Sequence, residues 1–343
     1  IYTHGHPDHR GGAGAFKDEV REIIAFKPVQ APLFGMERLG AVFGLRARWQ
    51  FGYGLSDEEA VSQGLGPREG SNYGEHPAIL PPTLLYDEAI VHRNIDGIEL
   101  ELIAVPGETD DQAAVWLPDK KVLCCGDDYY GCFPNLYAIR GGQYRDIAQW
   151  IKSLDKLMSY PAEHLLPGHT KAISGHAAIA EVLGNYKAMM EYILDETLKG
   201  INEGKTADEL ASEIRLPEEL SKLPYLGEYY GSVEWTVREI YAAYMGWFDG
   251  DPAKLHPLPV SEKSSRYISL MGGYEKVLRE AAKAYENAEY QLSLELCTLL
   301  SQSEADGASC KKLSLRKELL ELKSRALLAL ADMETSANGR HYY

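Results

Sequence analysis

The sequence predicts a mixed α/β domain followed by an all-helical domain. Between residues 89 and 125, short apolar stretches with period-two alternation are separated by turn residues, which is typical of a sheet. Beyond about residue 176 the apolar residues recur at helical spacing instead. A chain of 343 residues, 45% hydrophobic and 25% charged, is long enough for two globular domains. We place these domains at residues 1–180 and 181–343.

The opening loop carries the clearest chemical signal. It reads Ile1-Tyr2-Thr3-His4-Gly5-His6-Pro7-Asp8-His9-Arg10-Gly11-Gly12, so three of the ten histidines and one aspartate fall within six positions. Residues 1–3 read as the end of a buried strand, and the glycines and proline disfavour a regular helix after it. Such a backbone can turn His4 and His6 toward one point while Asp8 and His9 serve a second. Two neighbouring divalent ions are the natural occupants. Imidazole and carboxylate ligands suit zinc, with iron or manganese as alternatives.

The predicted elements follow this loop in order. We expect a short helix at residues 13–22 and a strand at 22–25. Strands are predicted over residues 89–91, 98–105, 113–117 and 122–125, with Pro118-Asp119-Lys120 joining the last two as a hairpin. Helices are predicted over residues 147–158, 177–200, 232–248, 274–285, 289–301 and 311–331, and Thr206-Ala207-Asp208-Glu209 is a capping box that opens another. The helices within 274–331 also resemble a tetratricopeptide-like unit.

The His-x-His-x-Asp-His loop resembles the signature of the metallo-β-lactamase fold. This resemblance implies an αββα sandwich with metals at one edge of two packed sheets, followed here by an all-α dimerisation domain. Within that superfamily the rest of the chain is similar to the alkyl sulfatases, the zinc-dependent class of sulfatases, of the linear primary-alkyl type. Residues 229–233 and 246–257 are similar to the alkyl sulfatase dimerisation domain, which implies a homodimer.

The two ends of the chain suggest a piece of a longer protein. No initiator Met is present, and a strand needs about five residues and a paired neighbour, whereas the loop begins almost at residue 1. We therefore expect the first sheet strands, and with them any signal peptide, to be missing. Residues 336–343 are similar to the place where the family continues into a sterol-carrier-like domain, which we also expect to be missing.

Residues 35–82 form a glycine-rich insertion with interspersed Tyr and Trp, and little periodicity survives beyond about residue 60. A long irregular insertion near metal ligands is commonly a substrate lid or pocket wall, and a solvent loop or dimer arm is nearly as common. In alkyl sulfatases the region before a Pro-Pro-Thr such as Pro81-Pro82-Thr83 holds pocket-lining aromatics. The resemblance therefore implies that Tyr53 contacts the substrate.

Further ligands are expected where later strands end. Pro106-Gly107-Glu108-Thr109 stands where relatives commonly have Pro-Gly-His-Thr and alkyl sulfatases use glutamate, so the resemblance implies that Glu108 binds the first metal. Taken alone, Glu108 would be an exposed turn residue. Cys125-Gly126-Asp127-Asp128 stands where a carboxylate bridges both metals. We assign Asp127 to that bridge, with Asp128 as the alternative. His169, after Leu166-Pro167-Gly168, completes the shell of the second metal.

The stretch Phe133-Pro134-Asn135-Leu136-Tyr137-Ala138-Ile139-Arg140-Gly141-Gly142 resembles the alkyl sulfatase sequence Asn-Leu-Tyr-Thr-Leu-Arg-Gly-Ala. A guanidinium offers a planar fork of donors that matches two oxygens of a tetrahedral oxyanion, so Arg140 is the predicted sulfate clamp. Asn135 and, less strongly, Arg145 are further substrate-binding candidates. We assign catalytic roles to Asp8 and Arg140.

Charge and cysteine content restrict the function classes. A net charge of −16 without a basic tract argues against nucleic acid and anionic membrane surfaces as partners. An anionic substrate must therefore be attracted locally, by metals and arginines. No stretch approaches the roughly 18 apolar residues of a membrane span. Five cysteines without a Cys-x-x-Cys pair are expected to be buried free thiols.

Three functions follow from these patterns. The first is hydrolysis of alkyl sulfate esters of the dodecyl sulfate type to alcohol and inorganic sulfate, by a metal-activated water at a binuclear zinc site with two zinc ions per chain. The second is another binuclear metallo-hydrolase, such as a thioesterase, lactonase or phosphodiesterase. The third is a non-catalytic dimerising module, if a truncated sheet cannot hold metals.

Overall fold

The structure is a computed structural model that describes residues 1–28, 36–60, 62–66, 78–303 and 313–343. Within these ranges the chain forms two compact units, residues 1–247 with 336–338 and residues 248–335 with 339–343. Every predicted metal ligand belongs to the first unit. This unit extends past residue 180 because helices up to Met245 share one hydrophobic core with the sheet. Compact units do not test where one family domain ends and the next begins, so the predicted boundary near residue 180 stays a prediction.

The first unit is built on a six-stranded mixed sheet. Its strands are β3 (Ile90–Ile95), β4 (Ile98–Ala104), β5 (Ala113–Leu117), β6 (Val122–Gly126), β7 (His164–Pro167) and β8 (Ile173–Ser174), and neighbours in the sheet follow chain order. All pairs are antiparallel except β6 with β7. A second sheet contains β1 (Ile24–Phe26) and β2 (Leu84–Tyr86), which pair in parallel. The strands predicted from residue 89 to residue 125 are confirmed.

Period-two alternation explains how the layers stack. Successive side chains of a strand point to opposite faces of its sheet. On β4, Leu100 and Leu102 pack with Ile24 and Phe26 of the small sheet. Ile103, whose side chain points to the opposite face, is buried instead in the core that the helices share. The large sheet is therefore covered by the small sheet on one face and by helices on the other.

Helices close the first unit. They are α1 (Pro7–Arg10), α2 (Gly40–Gln50), α3 (Ile147–Met158), α4 (His176–Asn202), α5 (Ala207–Glu213), α6 (Glu218–Ser221) and α7 (Val233–Met245). Helix α3 begins at an Asp146 cap whose side chain accepts a hydrogen bond from Gln149 N, and its Trp150, Leu154 and Leu157 form one buried stripe. The predicted capping box is also confirmed, since the Thr206 and Glu209 side chains each bond the other's backbone N–H.

Several sequence expectations were wrong in detail. The opening loop contains one helical turn, α1, with Pro7 at its first position, where a missing N–H does no harm. The helix predicted at 13–22 is only a 3₁₀ turn, Ala13–Phe16. The insertion at 35–82 includes helix α2, which two glycines and the absence of a single apolar stripe concealed. Residues 29–35, 61 and 67–77 of this region lie outside the described ranges.

The second unit is helical. It contains α8 (Val260–Leu270), α9 (Tyr274–Glu286), α10 (Tyr290–Gln302), α11 (Leu313–Met333) and the end of α12 (Ala337–Tyr342). Ile268, Leu278, Cys297 and Leu322 meet in its core. The helices predicted over 274–285 and 289–301 are confirmed to within a residue at each end, whereas α8 was not predicted. None of the described helices is both long enough and apolar enough to cross a membrane.

The cysteines in the described residues are free thiols, as predicted. Cys125, Cys132 and Cys297 are buried, and Cys124 is half-buried. Burial raises the pKa of the Cys125 thiol well above its ordinary value, and the negative charges of Asp128 and Asp127 add to this effect. Such thiols are poor nucleophiles, which is consistent with a packing role. Cys310 lies outside the described residues.

Replacing Leu154 by Ala tests the shared core. Leu154 is fully buried between sheet and helices, so Leu154→Ala should lower the free energy of unfolding by about 2–5 kcal/mol, as measured by urea denaturation. Leu45→Ala, at a site on α2 that is 48% exposed, is the matched control and should change it by less than about 0.5 kcal/mol. Similar losses for both variants would contradict the proposed core.

Candidate metal centre

Backbone hydrogen bonds on both sides hold the opening loop in place. Tyr2 N donates to Ile24 O on β1 at 2.8 Å, and Ala113 N on β5 donates to Thr3 O at 2.7 Å. Residues 1–3 are thus hydrogen-bonded to a strand on each side, but they form no regular strand themselves, in contrast to the strand end that the sequence predicted. The chain turns immediately afterwards, which brings the histidines to the edge where β4, β6 and β7 end.

The other predicted ligands come from the ends of those three strands. Strands β4 and β6 are each antiparallel to β5, and β7 is parallel to β6, so all three end at the same edge of the sheet. Glu108 follows β4, Asp127 follows β6 and His169 follows β7. Gly126, with φ of +55°, makes the sharp turn that carries Asp127 into the site.

The first cluster contains His4, His6, Glu108 and Asp127, and each contributes a ligand atom within 4.8 Å of the others. His4 Nε2 lies 3.0 Å from His6 Nδ1, and Glu108 Oε2 lies 3.3 Å from His6 Nδ1. Thr3 Oγ1 lies 3.2 Å from His4 Nδ1, which directs the other ring nitrogen into the site. Burial, and then the imidazoles of His6 and His9, hold the pKa of His4 well below its ordinary value. A neutral imidazole is the form that binds a metal.

The second cluster contains Asp8, His9 and His169, whose ligand atoms also lie within 4.8 Å of one another. The Nε2 atoms of His9 and His169 are 3.1 Å apart. Asp8 Oδ2 lies 3.2 Å from His9 Nε2 and 3.3 Å from His169 Nε2. The three residues therefore form a compact second donor set beside the first.

Asp127 lies between the two clusters. Its Oδ2 atom is 3.2 Å from His9 Nε2, 3.4 Å from His169 Nε2 and 3.8 Å from His4 Nε2. Asp128, the alternative, does not enter the cluster, because its Oδ1 atom lies against the backbone of Gly107 beside Trp150. The structure thus favours Asp127 over Asp128 as the shared carboxylate.

The charges in this cluster suit a pair of divalent cations. Burial alone would lower the pKa of His9 and of His169, yet hydrogen bonds to Asp127 and Asp8 raise both to about 10. Burial opposes ionisation of Asp127 too, but the same two imidazoles hold its pKa below its ordinary value. The carboxylates of Glu108 and Asp127 are buried among imidazole nitrogens, that of Asp8 is partly exposed, and Asp127 Oδ1 has no hydrogen-bond partner among the described residues. Nitrogen and oxygen donors of this kind fit zinc, iron or manganese.

Two of the predicted substrate-binding residues lie beside the metal cluster. Asn135 is buried, and its side-chain Oδ1 has no hydrogen-bond partner in the described part of the chain. Arg140 is close enough for the charges of Glu108 and Asp8 to favour its charged form. Burial and then the like charge of Arg145 nevertheless keep its pKa below the ordinary value. The orphaned Asn135 Oδ1 is an acceptor, so the N–H donors that an anion requires here belong to the Arg140 guanidinium.

The other two predicted contacts are placed differently. The Arg145 guanidinium is directed at Glu108, with Nη1 2.6 Å from Oε1, and its side chain is only 9% exposed. Tyr53 lies in the turn after α2, where its ring is 5.6 Å from that of Phe51 and the residue is 36% exposed. A substrate contact by either residue stays a prediction.

The sequence did not predict that α2 supports the turn that carries Arg140. Gln50, fully buried, accepts a hydrogen bond from Arg140 N at 2.9 Å through Oε1. Arg46 donates to Ile139 O at 2.5 Å, and Phe43 packs against Gly141. Gly141 has φ of +100°, a conformation that favours glycine. A buried glutamine at the end of a helix has no distinctive local pattern, so only the packing reveals this role.

Comparison with known proteins places this geometry in a family. The metallo-beta-lactamase superfamily profile matches residues 1–169, and the alkyl sulfatase dimerisation profile matches residues 206–343. A linear primary-alkylsulfatase from Pseudomonas sp. is 34% identical over the whole of this chain, which covers 65% of that relative. The chain thus combines a metallo-β-lactamase superfamily domain with an alkyl sulfatase dimerisation domain. An alkyl/aryl-sulfatase from Saccharomyces cerevisiae is 30% identical over 85% of this chain and 47% of its own length.

Solved structures agree with this assignment. The structure of a stereoselective inverting sec-alkylsulfatase from Pseudomonas sp. aligns with a TM-score of 0.86 and 27% identity, covering all of this chain and 54% of that one. The predicted metallo-β-lactamase fold followed by a helical dimerisation domain is therefore confirmed. The chain spans between about half and two thirds of the length of these relatives.

Gly168 offers a test of the cluster that spares its ligands. A Cβ at this position would lie 2.0 Å from Asp127 Oδ1 and 2.7 Å from His9 Cε1. Gly168→Ala should therefore push the Asp127 carboxylate aside and weaken metal binding by about 10-fold or more, as measured by competition with a chelator. Gly184→Ala is the control, because a Cβ there meets nothing within 4 Å. Equal metal affinity in both variants would argue against a site at this edge.

Proposed function

We propose that this chain supplies the catalytic site of an enzyme that hydrolyses alkyl sulfate esters, of the dodecyl sulfate type, to alcohol and inorganic sulfate. The observation that carries the proposal is that two donor clusters, which share Asp127, lie beside the half-buried Arg140 and the buried amide of Asn135. The match of the whole chain to a linear primary-alkylsulfatase, 65% of whose length it covers, supports the choice of substrate.

We propose that the site holds two zinc ions, with iron or manganese as alternatives. His4, His6 and Glu108 would bind the first ion. Asp8, His9 and His169 would bind the second ion, and Asp127 would serve both. When bound, such a pair supplies Lewis-acid stabilisation of the sulfate and a water acidic enough to react near neutral pH.

The remaining work falls to side chains of the chain itself. Arg140 would hold two sulfate oxygens with its planar fork of N–H donors, and Asn135 would add a hydrogen bond from its buried amide. The Asp8 side chain is the most exposed of the carboxylates in the cluster, at 29%. Asp8 therefore faces incoming water, and we propose that it orients the attacking water by accepting a hydrogen bond.

Sulfate release separates the candidate functions. The metal-loaded protein, in the longest form of its reading frame, should release inorganic sulfate from dodecyl sulfate in preference to hydrolysing thioester, lactone and phosphodiester panels. Elemental analysis should find about two ions per chain by the count of ligands. Two bound ions with no sulfate release would favour another metallo-hydrolase, and no bound ion would favour a dimerising module.

Arg140 is the most direct test of substrate binding. Arg140→Ala should lower kcat/KM for dodecyl sulfate by on the order of 100-fold, because a donor to the charged group is lost, while the metal content stays unchanged. The exposed Arg21 supplies the control, since Arg21→Ala should alter kcat/KM by less than about 2-fold. Steady-state kinetics measure kcat/KM, and elemental analysis of the same preparations measures the metal content.

We also propose that the protein is a homodimer formed through its helical domain. The match to the alkyl sulfatase dimerisation profile supports this, and that segment exposes a large aromatic, Trp247, with 76% of the residue accessible. Of the tyrosines on α7, Tyr241 is buried, whereas Tyr244 is exposed. Multi-angle light scattering of the protein should give twice the mass of one chain.

A further inference from the structure

Two guanidinium groups lie near the metal cluster, and their surroundings differ. Arg140 lies in a turn that α2 supports from behind. Arg145 is buried just before α3 and donates through Nη1 to Glu108 Oε1 at 2.6 Å and to the backbone oxygen of Asn135. Two guanidiniums with different partners are expected to have different functions.

The contacts of Glu108 divide its two oxygens between two tasks. Oε1 accepts from Arg145. Oε2 faces the imidazoles, 3.3 Å from His6 Nδ1 and 3.7 Å from His4 Nε2. The carboxylate is therefore oriented so that one defined oxygen points into the first cluster. A glutamate has three rotatable side-chain bonds and would otherwise present either oxygen or both.

Burial makes this contact energetically important. The side chains of Arg145 and Glu108 are 9% and 3% exposed. A buried carboxylate is costly without a partner, and a buried arginine that already bonds a carboxylate and a carbonyl has donors committed within the protein. Arg145 also connects the strand end that carries Glu108 to the segment that carries Asn135, so the metal cluster and the anion site are fixed relative to each other.

We propose that Arg145 is a positioning residue that holds Glu108 as a one-oxygen ligand of the first metal, rather than a direct contact to the substrate. The inference rests on the proposed metal site, in which Glu108 is a ligand. Partners of this kind behind a metal ligand typically change metal affinity by about 10- to 100-fold when removed. Arg145 would thus act on the reaction through Glu108, and Arg140 would contact the anion.

Arg145→Met and Arg145→Lys test this inference, with Arg140→Met as the matched variant at the other guanidinium. Zinc affinity is measured by chelator competition, and the Co²⁺-substituted protein is followed by its absorption spectrum. Arg145→Met should weaken binding of one of two ions by about 10- to 100-fold and alter the Co²⁺ spectrum, with partial recovery in Arg145→Lys. Arg140→Met should keep both ions and raise KM for dodecyl sulfate.

Two outcomes would overturn the inference. The first is wild-type metal affinity and an unchanged Co²⁺ spectrum in Arg145→Met together with a raised KM, which would make Arg145 a substrate contact. The second applies if Arg145→Met does not fold. In that case Arg145→Lys is compared in the wild-type and Glu108→Gln backgrounds. The inference requires the effect of Arg145→Lys on metal affinity to vanish in the Glu108→Gln background. An equal effect in both backgrounds contradicts the inference.

The same measurements separate this inference from the proposed function. A wild-type protein that binds two ions but releases no sulfate rejects the proposed reaction, while the metal affinities of the Arg145 variants still decide the role of Arg145. A wild-type protein that binds no divalent ion rejects both. The first result requires no variant, so the two failures cannot be confused.

Discussion

The charge balance around Asp127 is the constraint on which the rest of this structure depends. This carboxylate is buried, yet three imidazole nitrogens lie between 3.2 and 3.8 Å from its Oδ2 atom. A buried charge requires compensation within a few ångströms, and that compensation comes from distant segments of the chain. The loop, three strand ends and a glycine too small to obstruct the carboxylate must therefore come together.

The sheet meets this requirement through strand direction. Strands β4, β6 and β7 end at one edge because each is parallel to the next of the three. Residues 1–3 extend along β1 and β5 and deliver the histidines to that edge. The hydrophobic cores on both faces of the large sheet hold the edge rigid, so that the donors do not have to be ordered when a metal binds.

Around the donors, a second set of contacts fixes orientation. Arg145 holds Glu108, Thr3 holds His4, and Gln50 holds the backbone of Arg140. Each of these contacts fixes the orientation of a residue at or beside the cluster. A difference of an ångström in such positions is enough to weaken a metal site or a transition-state contact substantially.

The sequence by itself determined the family and the fold, and it singled out all seven residues that the structure brings together. It could do so because the loop motif is local and because the resemblance to the alkyl sulfatases implied the roles of Glu108, Asp127 and His169. It left Asp128 as an alternative to Asp127 and did not identify α2 or the contacts of Arg145, since these depend on contacts between distant segments. Only tertiary structure decides which oxygen of a carboxylate faces a histidine, because packing against residues such as Gly107, Gly168 and Arg145 sets that direction.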